Sequence, residues 1–334
     1  MEQVRPVTLS VVVPMLNEEA NVDPLLERIG RVLDALNEPY EIVVVDDGST
    51  DGTAGRVAAW AQRRSEVRLV SLSRNFGHQA ALLAGVEQAR GAAIITLDGD
   101  LQHPPELLPR LVEGWRDGAD IVQAVRRAPA DGSAPKRVAS SWFYALLSSI
   151  ARIRVTPGAA DFRLMSREAA EALASCRERT RFNRGLVQWI GFDCHEVVFD
   201  APPRVAGRSK YSLRLMLRLA GDAIFSFSWA PLRAAGLAGA GVSLAAGAYL
   251  LFVLWARLFT HRTVEGWSST LAAVLVLGGM QLLVLWIIGE YLGRLFEEAK
   301  QRPLYIIRRG PRRGADDAPR LEGEGGEPRG SASS

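Results

Sequence analysis

The stretch TLDGDLQHPPE, residues 96–106, ends an apolar run with two carboxylates and continues into a helix start. Asp98 and Asp100 stand one residue apart, where two negative charges repel each other unless a cation lies between them. Gln102 adds an amide oxygen, and a proline in the first turn is typical of a helix start. The stretch therefore predicts a strand, an oxygen-rich loop that suits a cation, and a helix.

The same succession of strand and helix is repeated along residues 7–125. Apolar, often β-branched runs alternate with segments whose apolar residues follow helical spacing, as at Val22, Leu25, Leu26 and Ile29. This alternation predicts an α/β fold with a parallel, doubly wound, Rossmann-like sheet flanked by helices. Ligands of such sheets bind beyond the carboxyl ends of the strands.

Acidic residues end two of the predicted strands. Asp46 and Asp47 close the second apolar run, and Asp98 and Asp100 close the fourth. Because parallel strands end at one edge of a sheet, we expect the two pairs to lie close together. Asp98, Asp100 and Gln102 offer the hard oxygen ligands that Mg²⁺ or Mn²⁺ prefers, with positions left for a substrate diphosphate. Asp46 or Asp47 is expected to accept a hydrogen bond from a nucleobase or ribose.

The composition argues against several classes of protein. A formal net charge of +3 gives no reason to expect a nucleic-acid partner. Cys176 and Cys194 form no CxxC pair, so neither a disulfide framework nor a zinc site is predicted. The first apolar run is short, β-branched and followed by acids, which indicates a buried strand rather than a signal peptide.

Two later apolar runs are long enough to cross a bilayer as helices. Residues 234–256 and 266–289 contain no charged side chain, and each exceeds the roughly 20 residues that a membrane-spanning helix needs. Lys and Arg are frequent before the first run and after the second, whereas the connecting loop holds only Arg257 and Arg262. This bias predicts a short external loop and both termini in the cytoplasm.

Six motifs follow one another in a specific order: SVVVPMLNEEAN, VVVDDGSTDGT, SRNFGHQAAL, DGDLQHPPE, DFRLMSR and RVAGRSKYS. Together they resemble the inverting family 2 glycosyltransferases of the GT-A fold. Within that family they are most similar to the polyisoprenyl-phosphate type, which includes bactoprenol glucosyltransferases and dolichol-phosphate mannose synthases. The resemblance covers roughly residues 8–309, the paired apolar runs included.

The resemblance implies roles for individual residues. For the nucleotide sugar it implies Pro14, Leu16, Glu18, Asp46, Asp47, Asp98, Gly99, Arg126 and Lys210. For the acceptor phosphate it implies Lys136, Arg137, Arg204 and Ser209. For catalysis it implies Asp161 with Asp98 and Asp100, and for the metal, Mg²⁺ or Mn²⁺, Asp100 and Gln102. Whether Asp161 acts as a base or orients the reactants stays open.

Three further residues have simpler interpretations. Gly99 stands where alanine is common in relatives, and the smaller residue is expected to loosen the turn slightly. His78 is interpreted as a helix-start residue rather than a ligand. His103 is interpreted either as a donor to the diphosphate or as a brace for the following prolines.

The chain divides into five expected segments: a cytosolic catalytic domain (1–210), an interfacial amphipathic helix (211–230), two transmembrane helices (231–293, at about 233–257 and 266–290), a cytosolic return segment (294–309) and a disordered tail (310–334). Arg214, Arg218 and Asp222 recur at fourfold spacing, which suits a helix in the membrane interface. The tail is rich in Gly, Pro, Glu and Ser, which is typical of disorder.

We therefore expect a metal-dependent inverting enzyme in the bacterial inner membrane. It would move glucose from UDP-glucose to undecaprenyl phosphate for cell-envelope glycosylation, and the resemblance suggests a homo-oligomer, a tetramer in relatives. Two alternatives stay open. A processive polysaccharide synthase would carry a QxxRW motif, whereas Gln188 and Trp189 are adjacent here. A non-catalytic membrane adaptor would bind nucleotide sugar without transferring it.

Overall fold

The computed structural model describes residues 7–127, 159–179, 181, 183–200, 230–260 and 266–309. Within them the centre is a seven-stranded sheet. In chain order the strands are β1 (Leu9–Met15), β2 (Tyr40–Asp46), β3 (Val67–Ser71), β4 (Ala93–Thr96), β5 (Ile121–Arg126), β6 (Ala159–Ser166) and β7 (Cys194–Phe199). Their spatial order is β3-β2-β1-β4-β6-β5-β7.

Helices cover both faces of the sheet. They are α1 (Glu19–Leu36), α2 (Thr53–Arg63), α3 (His78–Gln88), α4 (Leu108–Arg116), α5 (Arg167–Ser175) and α6 (Asn183–Trp189), followed by α7 (Ala230–Thr260) and α8 (Trp267–Ala299). Val11 and Val13 of β1 belong to the core shared with α1, α2 and α4, whereas Val12 belongs to the core shared with α3, α5 and α6. Burial on both faces explains why the strands are apolar almost throughout.

The mostly parallel sheet predicted from the sequence is confirmed, and β6 is the exception. It pairs antiparallel with β4, with Thr96 opposite Arg163, and antiparallel with β5 on its other side. The other pairings in the sheet are parallel. Because β6 runs in the opposite direction, its first residues lie at the edge where β1, β2 and β4 end.

The two C-terminal helices predicted from the sequence are present. Windows of α7 (Pro231–Val253) and α8 (Val276–Ala299) are long and apolar enough to cross a membrane, by length and composition. α7 contains the whole of the predicted span 233–257, and α8 begins one residue after the predicted start at Gly266. The predicted external loop is helical up to Thr260, and its residues 261–265 lie outside the described residues. The predicted disordered tail and all but the last residue of the predicted interfacial helix also lie outside them.

The chain returns to the sheet after α8. The first six residues of the predicted return segment, 294–299, belong to α8, so from here on the return segment means residues 300–309. Ile306 accepts a backbone hydrogen bond from Ser73 at 2.8 Å, and the Arg308 N–H donates to Ser71 at 2.8 Å. Leu72 and Ile307 form an antiparallel bridge between these two bonds. The return segment thereby pairs with the end of β3 and holds the loop that leads into α3.

Glu41, the second residue of β2, is buried at the amino-terminal edge of the sheet. Its Oε1 accepts from Ser10 Oγ at 2.8 Å and from the Arg90 N–H at 2.6 Å, and its Oε2 pairs with Arg68 Nη1 at 2.6 Å. Burial opposes ionisation, but these hydrogen bonds outweigh it and hold the pKa of Glu41 below its usual range. The ionised carboxylate therefore stabilises the folded state.

Glu41→Gln should lower the melting temperature of the full-length protein by roughly 5–10 °C, because loss of one member of a buried ion cluster costs about 3 kcal/mol. Since the folded-state pKa is depressed, this contribution is present at neutral pH and is lost as the pH falls through that pKa, below about 4.3. Thermal unfolding at neutral and acidic pH checks it. Glu27→Gln, at an exposed ion pair of α1, is the control. A difference that persists unchanged in acid would contradict the assignment.

Candidate functional site

The candidate site lies at the carboxyl edge of the central strands. The loops after β1, β2, β3 and β4 meet there, together with the first residues of the antiparallel strand β6. Thr96 Oγ1 at the end of β4 donates to the Asp161 carbonyl at 2.6 Å, which fixes the two strands at this point. The acidic pair after β4 and the acid of the DFRLM motif are therefore neighbours.

Asp161 is a buried carboxylate of the site, with only 5% of the residue exposed. Arg163 Nη2, two residues along the same face of β6, lies 2.9 Å from Asp161 Oδ1. Gln79 Nε2 donates to Oδ2 at 3.2 Å, and His78 Nε2 lies 3.7 Å from the same oxygen. The first turn of α3 and strand β6 together hold the Asp161 carboxylate in one orientation.

The surroundings of Asp161 keep it ionised. Burial disfavours the charged form, but His78 and the guanidinium groups of Arg163 and Arg184 outweigh burial, and the pKa of this carboxyl lies well below its usual range. At 3.7 Å the His78 contact is longer than a hydrogen bond, so the 2.9 Å contact with Arg163 is the stronger direct one. A carboxylate held this way is a weak proton acceptor and a strong fixed negative charge.

Asp98 lies on the other side of His78. His78 Nε2 is 3.3 Å from Asp98 Oδ1, and His103 Nδ1 is 3.4 Å from Oδ2. Burial raises the pKa of Asp98, although the two histidines act against it. Asp98 Oδ1 and His103 Nδ1 are buried without a hydrogen-bond partner among the described residues. Unpartnered buried polar atoms of this kind fit a site completed by a polar or charged ligand.

His78 is the residue that the sequence interpretation underestimated. It does begin α3, as expected, but its imidazole also lies between Asp98 and Asp161. Two acids far apart in sequence flank it, and spacing alone gave no signal of that. The Nδ1 of His103 faces Asp98 while its ring lies 5.3 Å from that of Phe162, and the sequence predicted neither contact.

The turn that follows Asp98 is tightly packed. Asp100 Oδ1 accepts from the Gln102 N–H at 3.0 Å, and Leu101 between them has a left-handed φ of 61°. A Cβ on Gly99 would lie 2.9 Å from Met15 Cγ. The turn therefore has little space for a larger side chain at Gly99. The Gln102 backbone uses one Asp100 oxygen, which leaves the other oxygen of this exposed carboxylate for a ligand.

The residues present fit a divalent cation that is shared with a substrate. In the described part of the chain, no three His, Cys, Asp or Glu side chains form a complete metal site. The donor set is instead the exposed carboxylate of Asp100, the Gln102 side chain next to it, and the unpartnered oxygen of Asp98. Mg²⁺ is commonly bound by one or two carboxylates, with waters and substrate phosphates as its other ligands.

The loops after β1 and β2 are bound to each other. Asn17 Oδ1 accepts from the Thr50 N–H at 2.8 Å, and the Asn17 N–H donates to Ser49 Oγ at 3.0 Å. Asp46 Oδ1 closes the β2 turn by accepting from the Ser49 N–H at 2.9 Å. These bonds fix the two loops, including the one that carries Leu16. Leu16 is 38% exposed, so an apolar contact with a base is possible there.

Asp47 binds the backbone of the loop that precedes α3. Its Oδ1 accepts from the Phe76 N–H at 2.7 Å and its Oδ2 from the Gly77 N–H at 2.9 Å. Both oxygens therefore hold the loop that precedes α3. Asp46 and Asp47 are both considered for the nucleobase or ribose. The second oxygen of Asp46 accepts no hydrogen bond from the described residues.

The other predicted residues are only partly placed. Glu18 accepts from Asn21 Nδ2 at 2.5 Å, and its pKa is raised by burial and by the charge of Asp100, so the two carboxyls are neighbours. Pro14 is buried at the end of β1, and Arg126 ends β5 at the same edge as Asp98. Lys136, Arg137, Arg204, Ser209 and Lys210 lie outside the described residues.

Residues 10–174 match the family model described as glycosyl transferase family 2. An uncharacterized glycosyltransferase of Synechocystis sp. is 42% identical over 301 residues, which cover 90% of this chain and 95% of the relative. A prophage-derived bactoprenol glucosyl transferase of Shigella flexneri is 39% identical over 309 residues, covering 91% of this chain and 98% of that protein.

Among solved structures, glucosyl-3-phosphoglycerate synthase of Mycobacterium tuberculosis with Mn²⁺, UDP-glucose and phosphoglyceric acid is similar with a TM-score of 0.45. Its sequence identity is 23%, and the match covers 66% of this chain and 78% of that one. The mostly parallel sheet flanked by helices is the GT-A architecture expected from the motifs. The resemblance stated from those motifs is confirmed, and the chain belongs to glycosyl transferase family 2 and is a glycosyltransferase.

Proposed function

We propose that this glycosyltransferase moves glucose from UDP-glucose to a polyprenyl phosphate and inverts the anomeric carbon. The observation that carries the proposal is the nearly end-to-end match, 39% identical, to a protein named bactoprenol glucosyl transferase. Two long apolar helices in the same chain support a lipid acceptor, because a polyprenyl chain stays in the bilayer while its phosphate lies at the headgroup level.

The chemistry suits the arrangement of the acids. A lipid-phosphate oxygen forms a bond to the anomeric carbon while the bond from that carbon to the diphosphate breaks, and the electron pair leaves with UDP. The attacking oxygen is already anionic near neutral pH, so a strong base is not needed. Asp161, ionised and fixed, then orients the acceptor or sugar and stabilises positive charge that develops at the anomeric carbon.

Asp100 and Gln102 would hold a divalent cation, Mg²⁺ or Mn²⁺, together with the donor diphosphate. When bound, the cation supplies positive charge that stabilises the departing diphosphate. Asp98 lies closer to Asp161 and is assigned to the sugar or its diphosphate. Leu16, Glu18 and Asp46 form the base and ribose side of the site.

The membrane arrangement proposed here has α7 and α8 as spans, with the catalytic domain and both termini on the cytoplasmic side of the bacterial inner membrane. The lysine and arginine bias around the two helices supports this orientation. The return segment carries the chain from α8 back to β3, which keeps the sheet near the end of the second helix. We also propose a homo-oligomer, because the resemblance to the polyisoprenyl-phosphate glycosyltransferases suggests a tetramer.

The donor is tested with purified full-length protein, Mg²⁺ and undecaprenyl phosphate, against a panel of UDP-glucose, UDP-GlcNAc, a UDP-pentose and GDP-mannose. With UDP-glucose we expect a lipid product whose mass has increased by one hexose. With each of the other donors we expect a lower yield of lipid product. A lipid product formed faster from another donor would replace glucose as the transferred sugar and leave the acceptor class intact.

Gly48→Ala should weaken UDP binding in Mg²⁺ by roughly tenfold. Gly48 has a left-handed φ of 75°, and a Cβ there would lie 2.5 Å from the Arg74 carbonyl carbon and 2.6 Å from the Asn75 nitrogen. Neither backbone atom can move without shifting the loops after β2 and β3. Calorimetric titration with UDP measures the change.

Gly55→Ala is the matched control for Gly48→Ala. Gly55 lies in α2, and nothing stands within 4 Å of a Cβ built there. Alanine is the better helix former, so this variant should bind UDP as the wild type does and be slightly more stable. Equal UDP affinity in the two variants would show that the Gly48 turn does not shape the donor site.

A further inference from the structure

A cleft of about 830 Å³ lies between the start of α3 and the return segment. Phe76, His78 and Gln79 form one wall, and the other is formed by the last turn of α8 and residues 302–306. The backbone bond from Ser73 to Ile306 joins the walls at one end. The cleft is therefore built jointly by the catalytic sheet and by the segment that leaves the second apolar helix.

The charged side chains of the cleft are mostly cationic. Four arginines line it, at 74, 179, 181 and 302, against one acid, Glu297. Arg179 uses its guanidinium to bind the backbone carbonyls of Glu297 and Arg302, at 3.0 and 3.4 Å, which closes that side of the cleft. Arg181 likewise donates to backbone carbonyls. Hydrogen bonds to carbonyl groups leave the positive charges available to an anion.

Of these four arginines, Arg74 and Arg302 are exposed, whereas Arg179 and Arg181 are partly buried. The Arg74 guanidinium lies 4.1 Å above the Phe76 ring and donates to the Asn75 carbonyl at 3.0 Å. Arg302 is exposed, and its side chain makes no hydrogen bond or ion pair within the described part of the chain. Two exposed guanidinium groups in one cleft favour a ligand with concentrated negative charge, such as a phosphate monoester.

Apolar side chains accompany these cations. Phe76, Leu304 and Ile306 line the same cleft, and Ile306 is 51% exposed although it is large and aliphatic. A small hydrophilic anion would gain nothing from these surfaces. A phosphate that carries a hydrocarbon chain would cover them, and each buried methylene contributes about 0.8 kcal/mol.

The position of the cleft along α8 suits a lipid headgroup. Glu290 is the first charged residue of α8, and Glu297 at the cleft follows seven residues later, about 10 Å further along the helix axis. Headgroups extend roughly 5–7 Å beyond each side of the hydrocarbon core. A lipid phosphate therefore reaches the cleft by a short displacement from the bilayer surface.

The cleft meets the reaction centre at the start of α3. His78 and Gln79 line it, and both side chains also approach Asp161 Oδ2, at 3.7 and 3.2 Å. A ligand in the cleft would therefore lie beside the two side chains of α3 that approach the fixed carboxylate.

We propose that this cleft binds the phosphate and first isoprene units of the lipid acceptor, with the exposed Arg74 and Arg302 binding the phosphate. The assignment rests on the proposed function for its ligand. It adds a positioning role for the return segment, which no family motif covers. Arg302 contacts the acceptor phosphate and does not take part in bond breaking.

The test uses full-length protein in detergent and undecaprenyl phosphate as the probe, with binding measured by native mass spectrometry and the acceptor KM measured in the glucose-transfer assay. Arg302→Gln and Arg74→Gln should each weaken binding and raise the acceptor KM by roughly tenfold, the loss expected for one charge-assisted hydrogen bond. UDP affinity should stay unchanged, which also reports correct folding. Arg31→Gln removes an arginine that is 72% exposed on α1 and should change nothing.

The possible results distinguish the cleft assignment from the proposed function. Wild-type binding and KM in both cleft variants would overturn the cleft assignment. Displacement of the probe by equal amounts of phosphatidylglycerol or inorganic phosphate would also overturn it, in favour of a general anion site. Probe binding that depends on Arg302 without any sugar transfer by the wild type would support the cleft and reject the proposed function.

Discussion

Asp161→Asn is expected to lower kcat for sugar transfer by about 10³-fold while UDP affinity stays unchanged. The substitution keeps the size of the side chain and an oxygen that can accept from Gln79, at 3.2 Å in the native protein. It removes the negative charge that Arg163 holds at 2.9 Å. If that charge stabilises the anomeric carbon in the transition state, turnover falls and donor binding does not.

The control for this variant is Asp23→Asn, which neutralises an exposed carboxylate paired with Arg56 on the surface. Melting temperatures show whether the Asp161 variant folds, because the change removes one charge of a buried ion pair with Arg163. A folded Asp161→Asn protein with near-wild-type turnover would remove Asp161 from the catalytic assignment.

Asp100→Asn is expected to lower kcat/KM by roughly 100-fold or more and to make UDP binding insensitive to Mg²⁺. Asn retains the oxygen that accepts from the Gln102 N–H at 3.0 Å, so the turn with its left-handed Leu101 is preserved. The second oxygen is replaced by an NH2 group, so the negative charge and one possible cation ligand are lost. The variant therefore separates the structural role of Asp100 from its role toward the cation.

Asp51→Asn is the matched control for Asp100→Asn. Asp51 Oδ1 also closes a local turn, accepting from the Thr53 N–H at 3.0 Å, and that turn begins α2. It has the same chemistry as the Asp100 turn without the proposed cation. Titration of UDP with and without Mg²⁺ compares the two. Equal Mg²⁺ dependence in both variants would refute Asp100 as a ligand.

The parts of the fold that sequence could predict are those with a periodic signal. The apolar runs that became β1, β2 and β4 and the helical spacing of α1 were visible because burial on one face or two faces imposes a repeat on the residues themselves. The direction of β6 carries no such signal. Its antiparallel pairing with β4 depends on how a distant segment packs, and that pairing brings Asp161 to Asp98.

The site shows the same division between local and distant contacts. Asp98 and Asp100 were recognised because two acids end one strand, and Asp161 because the DFRLM motif resembles a known family. His78 and Gln79 reach Asp161 through contacts between α3 and β6, about eighty residues apart in sequence. Arg163 lies two residues from Asp161 on the same strand. Asp47 looked like a ligand, and only the loop before α3 revealed that both its oxygens are used by the backbone.

The most direct measurement combines purified full-length protein, UDP-glucose, undecaprenyl phosphate and Mg²⁺, and determines the mass of the lipid. The account predicts undecaprenyl phosphate carrying one hexose, formed by the wild type, abolished by EDTA, restored by added Mg²⁺ and nearly absent with Asp161→Asn. No lipid-linked sugar from any nucleotide-sugar donor, or undiminished product from folded Asp161→Asn in EDTA, would contradict it.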